Sequence, residues 1–335
     1  MNYAKMTNFN GMPCVDISAG GYSALIAYEI GSNVIRLRNN EKAVEFFRFN
    51  DNNSPQELLQ SAEVWGHPTL YLPNRFADGI LKTSDAEYIL PMNEKNHYRT
   101  HIHGFLHKRV HVVEEYGYDD VAAWAKTSYL YDNRDSFFQY LPIKFKAEYN
   151  FRLSENGLEQ TIKLTNLSGN KAMPISLGSH TSIKAPFVDN AKPADIRLTV
   201  PIEERCELSE RCMPTERLLP LSEWDKDYKN GKMIPVLQGL DNDMYTGGFA
   251  ELDGKPFHGA IMEDTASGIK LCYEVSEEYK FWDIWNDRGF NGYFCPEPMT
   301  AMINAPNLSL TREISGYDEI MPGESFECRQ RFFVK

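Results

Sequence analysis

The chain has 335 residues, with 47 acidic against 35 basic side chains and a net charge of −12. That charge, with no Lys/Arg cluster to offset it locally, opposes binding to a phosphate backbone, so nucleic acid is not expected as a partner. Hydrophobic residues make up 42% and aromatics 13%, ample for a sizeable core. No apolar run approaches the length of a membrane-spanning helix.

The N-terminus, residues 1–7, lacks the apolar stretch and small-residue cleavage site of a secretory signal. Six cysteines (Cys14, Cys206, Cys212, Cys272, Cys295, Cys328) show neither zinc-like nor redox-like spacing. With no export signal they read as reduced thiols, and the expected location is cytoplasmic.

Strand signals dominate the chain. Residues 33–38 and 43–49 are β-branched or aromatic and are separated by Asn39-Asn40-Glu41-Lys42. Ser54, Pro55 and Glu57 then form a helix start with a capping box, and the helix is expected to stop before Gly66-His67-Pro68. Residues 144–165 read as a hairpin. Phe145, Ala147, Tyr149, Phe151 and Leu153 alternate with polar residues, Asn156-Gly157 turns the chain, and Leu158, Ile162 and Leu164 return. A second short helix is expected over 222–230, stopped by Gly231. Met321-Pro322-Gly323 turns into a last strand carrying Phe326, Cys328, Phe332 and Val334. Without a repeat, a linker or a composition break, one all-β domain over 1–335 is the simplest reading, a large antiparallel β-sandwich with a few short helices.

Several stretches carry candidate chemistry. Glu297 stands between Pro296 and Pro298 in an apolar run, and the prolines hold its backbone extended and stiff. Five of eight histidines fall within residues 97–111. On an extended segment His101 and His103 would share a face. That leaves three readings: a metal pair, polar strand residues with one satisfied core histidine, or an imidazole that bonds a neutral polar ligand. His180 follows Gly178-Ser179 and titrates near neutrality if unperturbed. Asn74-Arg75 follows the strand-like Thr69-Leu70-Tyr71, and the planar fork of Arg75 suits vicinal hydroxyls. Asp241, in Gly239-Leu240-Asp241-Asn242-Asp243, lacks the spacing of a calcium loop. Trp282 and Trp285 are either a platform for a sugar face or core.

In this order these pieces resemble the aldose 1-epimerase (galactose mutarotase) family over residues 66–304. The landmarks are Pro73-Asn74-Arg75 with Asp78-Gly79, His103-Gly104-Phe105, Gly178-Ser179-His180, Gly239-Leu240-Asp241, and Cys295-Pro296-Glu297-Pro298 with Asn304 beyond. The resemblance implies the mutarotase-like supersandwich fold, an open sugar-binding cleft, and no cofactor or metal. It matches Glu297 to the catalytic base and His180 to the catalytic acid. Arg75, His103 and Asp241 match sugar-holding positions, with Asn74 beside Arg75. Members nearest galactose mutarotase carry aromatics where this chain has Thr181-Ser182, and His-Gly-Gly where it has His103-Gly104-Phe105. In both respects the chain is similar to the broader mutarotase-like branch.

The function so implied is interconversion of the α and β anomers of a monosaccharide, a hexose being the expected substrate, by a monomer or homodimer. A sugar-binding sensor, a glycoside hydrolase or lyase using Asp241 with Glu297, and a phosphosugar mutarotase are the alternatives.

Overall fold

The computed structural model describes residues 1–241 and 243–335. Among them the chain is built from antiparallel strands, with helix confined to short segments. One eight-stranded sheet runs Val112–Tyr118, Ala122–Tyr131, Phe145–Ser154, Gly157–Asn166, Ser325–Val334, Ile269–Val275, Gly259–Asp264, Ile196–Thr199. A second runs Pro214–Pro220, Ile202–Leu208, Asp243–Gly247, Phe281–Trp285, Tyr293–Met299, Leu177–Ser179, Thr69–Tyr71, with Ile183–Lys184 paired to the Tyr293–Met299 strand. The N-terminal residues form a five-stranded sheet, from Tyr3–Phe9 to Val44–Glu45.

The hairpin expected over 144–165 forms in register, Phe145 opposite Asn166 and Ser154 opposite Gly157. Its alternate residues Phe145, Ala147, Tyr149, Phe151 and Leu153 are buried, while Asn150 and Arg152 are exposed. The core lies between the sheets and is rich in aromatic rings. Phe332 stacks on Tyr273 with centroids 4.2 Å apart and meets Phe47 edge-on at 5.0 Å. Tyr273 in turn meets Trp282 of the second sheet edge-on at 6.0 Å. Full burial of side chains this large contributes roughly 1.5–3 kcal/mol each, which is what holds the layers face to face.

The helix Pro55–Gln60 carries the predicted capping box, Ser54 and Glu57 each satisfying the other's backbone N–H. Two expectations are shortened. The strand expected over 43–49 survives only as Val44–Glu45. Ala43 adopts φ 52°, and Phe46 and Phe47 are both fully buried, so the segment turns inward rather than presenting alternate faces. The helix expected over 222–230 is regular only at Lys226–Lys229. Ser222 and Asp225 exchange hydrogen bonds, backbone N–H to side chain in each direction, which holds the first turn in a cap-like form.

Candidate active site

The site is built on the open face of the second sheet. Side chains alternate along a strand, so Trp282 and Ile284 point into the core while Asp283 and Trp285 point the other way. The two tryptophans are three residues apart and therefore face opposite sides. Trp282 is fully buried, whereas Trp285 lines a pocket of about 430 Å³. Cys295 and Glu297 lie opposite Trp285 and Asp283 on the neighbouring strand and share that outer face.

His180 follows the strand Leu177–Ser179 and sets its Nε2 3.2 Å from Glu297 Oε1, with both side chains almost wholly buried. Ser179 and Thr181, on either side of it, turn their hydroxyls into the core and fix the backbone. Ser179 Oγ accepts from Gln330 Nε2 at 2.9 Å, and Thr181 Oγ1 lies 3.0 Å from His67 Nδ1 and donates to Tyr273 Oη at 3.1 Å. Trp285 meets the His180 ring edge-on at 5.3 Å, and His103 does the same from another side at 5.3 Å.

His103 owes its position to backbone that few sequences tolerate. It adopts φ 63° and Gly104 φ 60°, and a Cβ on Gly104 would fall 1.8 Å from the Tyr71 carbonyl oxygen. Asn74, at φ 54°, accepts the His103 N–H at 2.9 Å, so two candidate residues brace each other through left-handed backbone. Arg75 is buried beside them. Its Nε and one terminal nitrogen grip Glu94 at 2.8 and 3.1 Å, and its guanidinium lies 4.5 Å from the centre of the Tyr98 ring. Asp241 stands on a loop held by Asn286, which bonds the backbone of Leu240, Pro235 and Gln238. All six residues singled out in the sequence, Asn74, Arg75, His103, His180, Asp241 and Glu297, line this one pocket.

The histidine-rich stretch disperses. The chain leaves the strand Thr100–Ile102 at His103, so His101 and His103 do not share a face and the paired-ligand reading of them fails. His101 is buried with Nδ1 2.8 Å from the Pro91 carbonyl, His107 sits 3.7 Å from Glu63, and His111 bonds Ser32 at 2.9 Å. A different set, His180, Cys295 and Glu297, brings its donor atoms within 4.8 Å of one another. These donors are taken up within the protein, the Cys295 thiol lying 3.5 Å from Ser182 Oγ and His180 Nε2 3.2 Å from Glu297 Oε1.

Burial also governs the reactive pair. It lowers His180 to about 4 and raises Glu297 well above the usual carboxylate range, with Asp283 adding to the latter and Arg75 opposing it. Sequence reasoning passed over Asp283. It is 1% exposed, lines the pocket, accepts from Asn74 Nδ2 at 2.6 Å and faces Glu297 across the two strands. The signal was present, since one carboxylate interrupts the apolar run Phe281-Trp282-Asp283-Ile284-Trp285 on the same parity as Trp285. Tyr98 and Glu63 also line the pocket without having been singled out.

A family profile described as aldose 1-epimerase matches residues 13–332. Among solved structures, the chain is similar to a galactose mutarotase-like protein from Clostridium acetobutylicum, at 30% identity and TM-score 0.95, covering 99% of this chain and 98% of that one. It is also similar in fold to galactose 1-epimerase from Lactobacillus acidophilus, at 14% identity and TM-score 0.71, covering 100% and 98%. An aldose epimerase homologue from C. elegans gives 15% identity, TM-score 0.71 and 99% coverage of both chains. With the match spanning nearly the whole chain, the protein belongs to the aldose 1-epimerase family.

Proposed function

We propose that the protein is an aldose 1-epimerase that interconverts the α and β anomers of a neutral monosaccharide by acid–base opening and closure of the ring. The observation that carries this reading is the contact of His180 Nε2 with Glu297 Oε1 at 3.2 Å inside a buried pocket otherwise lined by hydrogen-bonding side chains.

Ring opening moves two protons. The anomeric hydroxyl loses one and the ring oxygen gains one as the C1–O5 bond breaks to give the aldehyde. Rotation about C1–C2 and reclosure from the other face reverse both transfers. The His180–Glu297 pair is suited to this because it holds one proton between two groups in contact. Before a sugar binds, burial favours the uncharged arrangement, with the proton on Glu297 and a neutral imidazole. Sugar hydroxyls that donate to the carboxylate, with Arg75 nearby, favour the charged arrangement. Glu297 is then the base toward the anomeric hydroxyl and His180 the acid toward O5. Each positioned group of this kind supplies typically about 10²–10⁴-fold. His103, Arg75 and Asp241 hold the ring oxygen and hydroxyls, and Asn74 supports them from beside Arg75. Because only protons move, the reaction balances without a cofactor.

The lining favours a neutral sugar over a sugar phosphate. Among the described lining residues, five carboxylates (Glu63, Asp241, Asp283, Asp287, Glu297) face two guanidiniums, Arg75 and Arg288. The adjacent cations Lys108 and Arg109 are each held by a carboxylate, Glu63 at 3.2 Å and Asp135 at 2.6 Å. The test is a panel of anomerically pure aldoses and aldose phosphates followed by polarimetry. Accelerated equilibration of at least one free aldose is expected. Sugar binding without acceleration would make the protein a binder, and release of reducing ends from an oligosaccharide would make it a hydrolase.

A further inference from the structure

We propose that Asp283 is a positioning residue for the reaction, acting through Glu297: its carboxyl, opposed to Glu297 on the adjacent strand and anchored by Asn74, sets how strongly Glu297 holds a proton. The inference rests on the acid–base reading of the pocket and extends it to a residue that reading does not need.

The geometry is specific. Asp283 and Glu297 are direct cross-strand partners, a relation that places Cβ atoms about 4.5–5.5 Å apart on one face of the sheet. Both side chains are nearly inaccessible, at 1% and 4%, so little water separates their charges. Asn74 donates to Asp283 Oδ2 at 2.6 Å, which fixes the carboxyl plane. Asp283 Oδ1 is buried and has no hydrogen-bond partner among the described residues, a condition it shares with Asn74 Oδ1, His103 Nδ1 and His180 Nδ1 of the same pocket. A packing role alone does not require this, since an apolar residue of similar volume would fill the space without stranding an oxygen.

Two carboxylates so placed cannot both ionise cheaply, and the proton affinity of each rises with the charge of the other. The remaining charged groups around Asp283 are few. Arg75, from the strand Arg75–Ala77, lowers its affinity for a proton, and Asp243, from the adjoining strand Asp243–Gly247, raises it. Asp241 and His180 share the pocket. Burial, the largest cause, raises Asp283, and the guanidinium of Arg75 works against that rise and favours its charged form. Its charge is thus available to keep Glu297 a stronger base than an isolated carboxylate would be.

The test uses Asp283→Asn, which keeps the shape and can still accept from Asn74, with ¹³C-labelled carboxyl carbons followed by NMR across pH. The Glu297 titration midpoint is expected to fall by about one pH unit or more in the variant. In the wild-type protein the two carboxyl resonances are expected to titrate in two coupled steps. If the midpoint stays put in a folded variant, or if the wild-type carboxyls titrate independently, the proposal is overturned. The wild-type titration decides the matter even where the variant does not fold. Neither readout depends on turnover, so a failure of mutarotation in the sugar panel would strike the functional reading and leave this one measurable. Where turnover is seen, the alkaline limb of the variant's rate profile, at which the pair gives up its one shared proton, should shift to lower pH with it, while the acidic limb set by His180 stays near its wild-type position.

Discussion

The two sides of the strand pair Phe281–Trp285 and Tyr293–Met299 differ in how their polar atoms are treated. Behind the sheet runs a buried chain of hydrogen bonds in which each member has a partner. Thr69 joins Gln160, Gln160 joins His67, His67 joins Thr181, and Thr181 joins Tyr273. Tyr273 then bonds Gln330, which reaches Ser179 and Tyr279. In front of the sheet, Asn74 Oδ1, His103 Nδ1 and Asp283 Oδ1 are buried without hydrogen-bond partners among the described residues. An unpaired buried polar atom costs about 1–3 kcal/mol. Behind the sheet Trp282 Nε1 is also buried without a partner among the described residues, so the contrast is one of degree: the unpaired atoms gather on the pocket face, where a hydrogen-bonding ligand can complete them.

The comparison is sharpened or broken by substitutions on each side. The largest effect is expected in front, where Glu297→Gln should lower the rate of anomer exchange by about 10²–10⁴-fold while the melting temperature stays near that of the wild type. The wild-type rate should itself fall as pH drops through about 4. There the His180 imidazole, held low by burial, takes a second proton and the pair loses its acceptor. Trp282→Ala, behind, should cost about 3–5 kcal/mol of stability in urea denaturation. Thr181→Val keeps the shape but strands His67 Nδ1 and takes one partner from Tyr273, and should cost about 1–3 kcal/mol. The smallest effect is Trp285→Ala, in front, which should weaken sugar binding by roughly 1 kcal/mol in calorimetry with little loss of stability. Equal stability losses for Trp282→Ala and Trp285→Ala would erase the distinction between the faces.

Much of this was legible in the sequence. The 144–165 hairpin announced itself because one face is dry and the other wet, so alternation and the Asn156-Gly157 turn carried the register. The capping box at Ser54 is a purely local device, and it formed as written. The six pocket residues came from motif order, and the pocket brings them together. Less legible was anything set by parity or by left-handed backbone. Trp282 and Trp285 looked like one aromatic feature until strand alternation divided them. His101 and His103 looked paired until a positive φ at His103 broke the strand. Asp283 was overlooked because a carboxylate in an apolar run has no motif to mark it. Its meaning lies in the Glu297 strand beside it, a pairing that only the fold makes.

The measurement that bears most directly on the proton-sharing pair is NMR exchange spectroscopy between sugar anomers, run on the wild-type protein and on His180→Asn with sugar occupancy matched by calorimetry. Exchange cross-peaks between α and β forms are expected with the wild type and should vanish with His180→Asn although the sugar remains bound. Cross-peaks of equal strength in both samples would contradict a reaction run through His180 and Glu297.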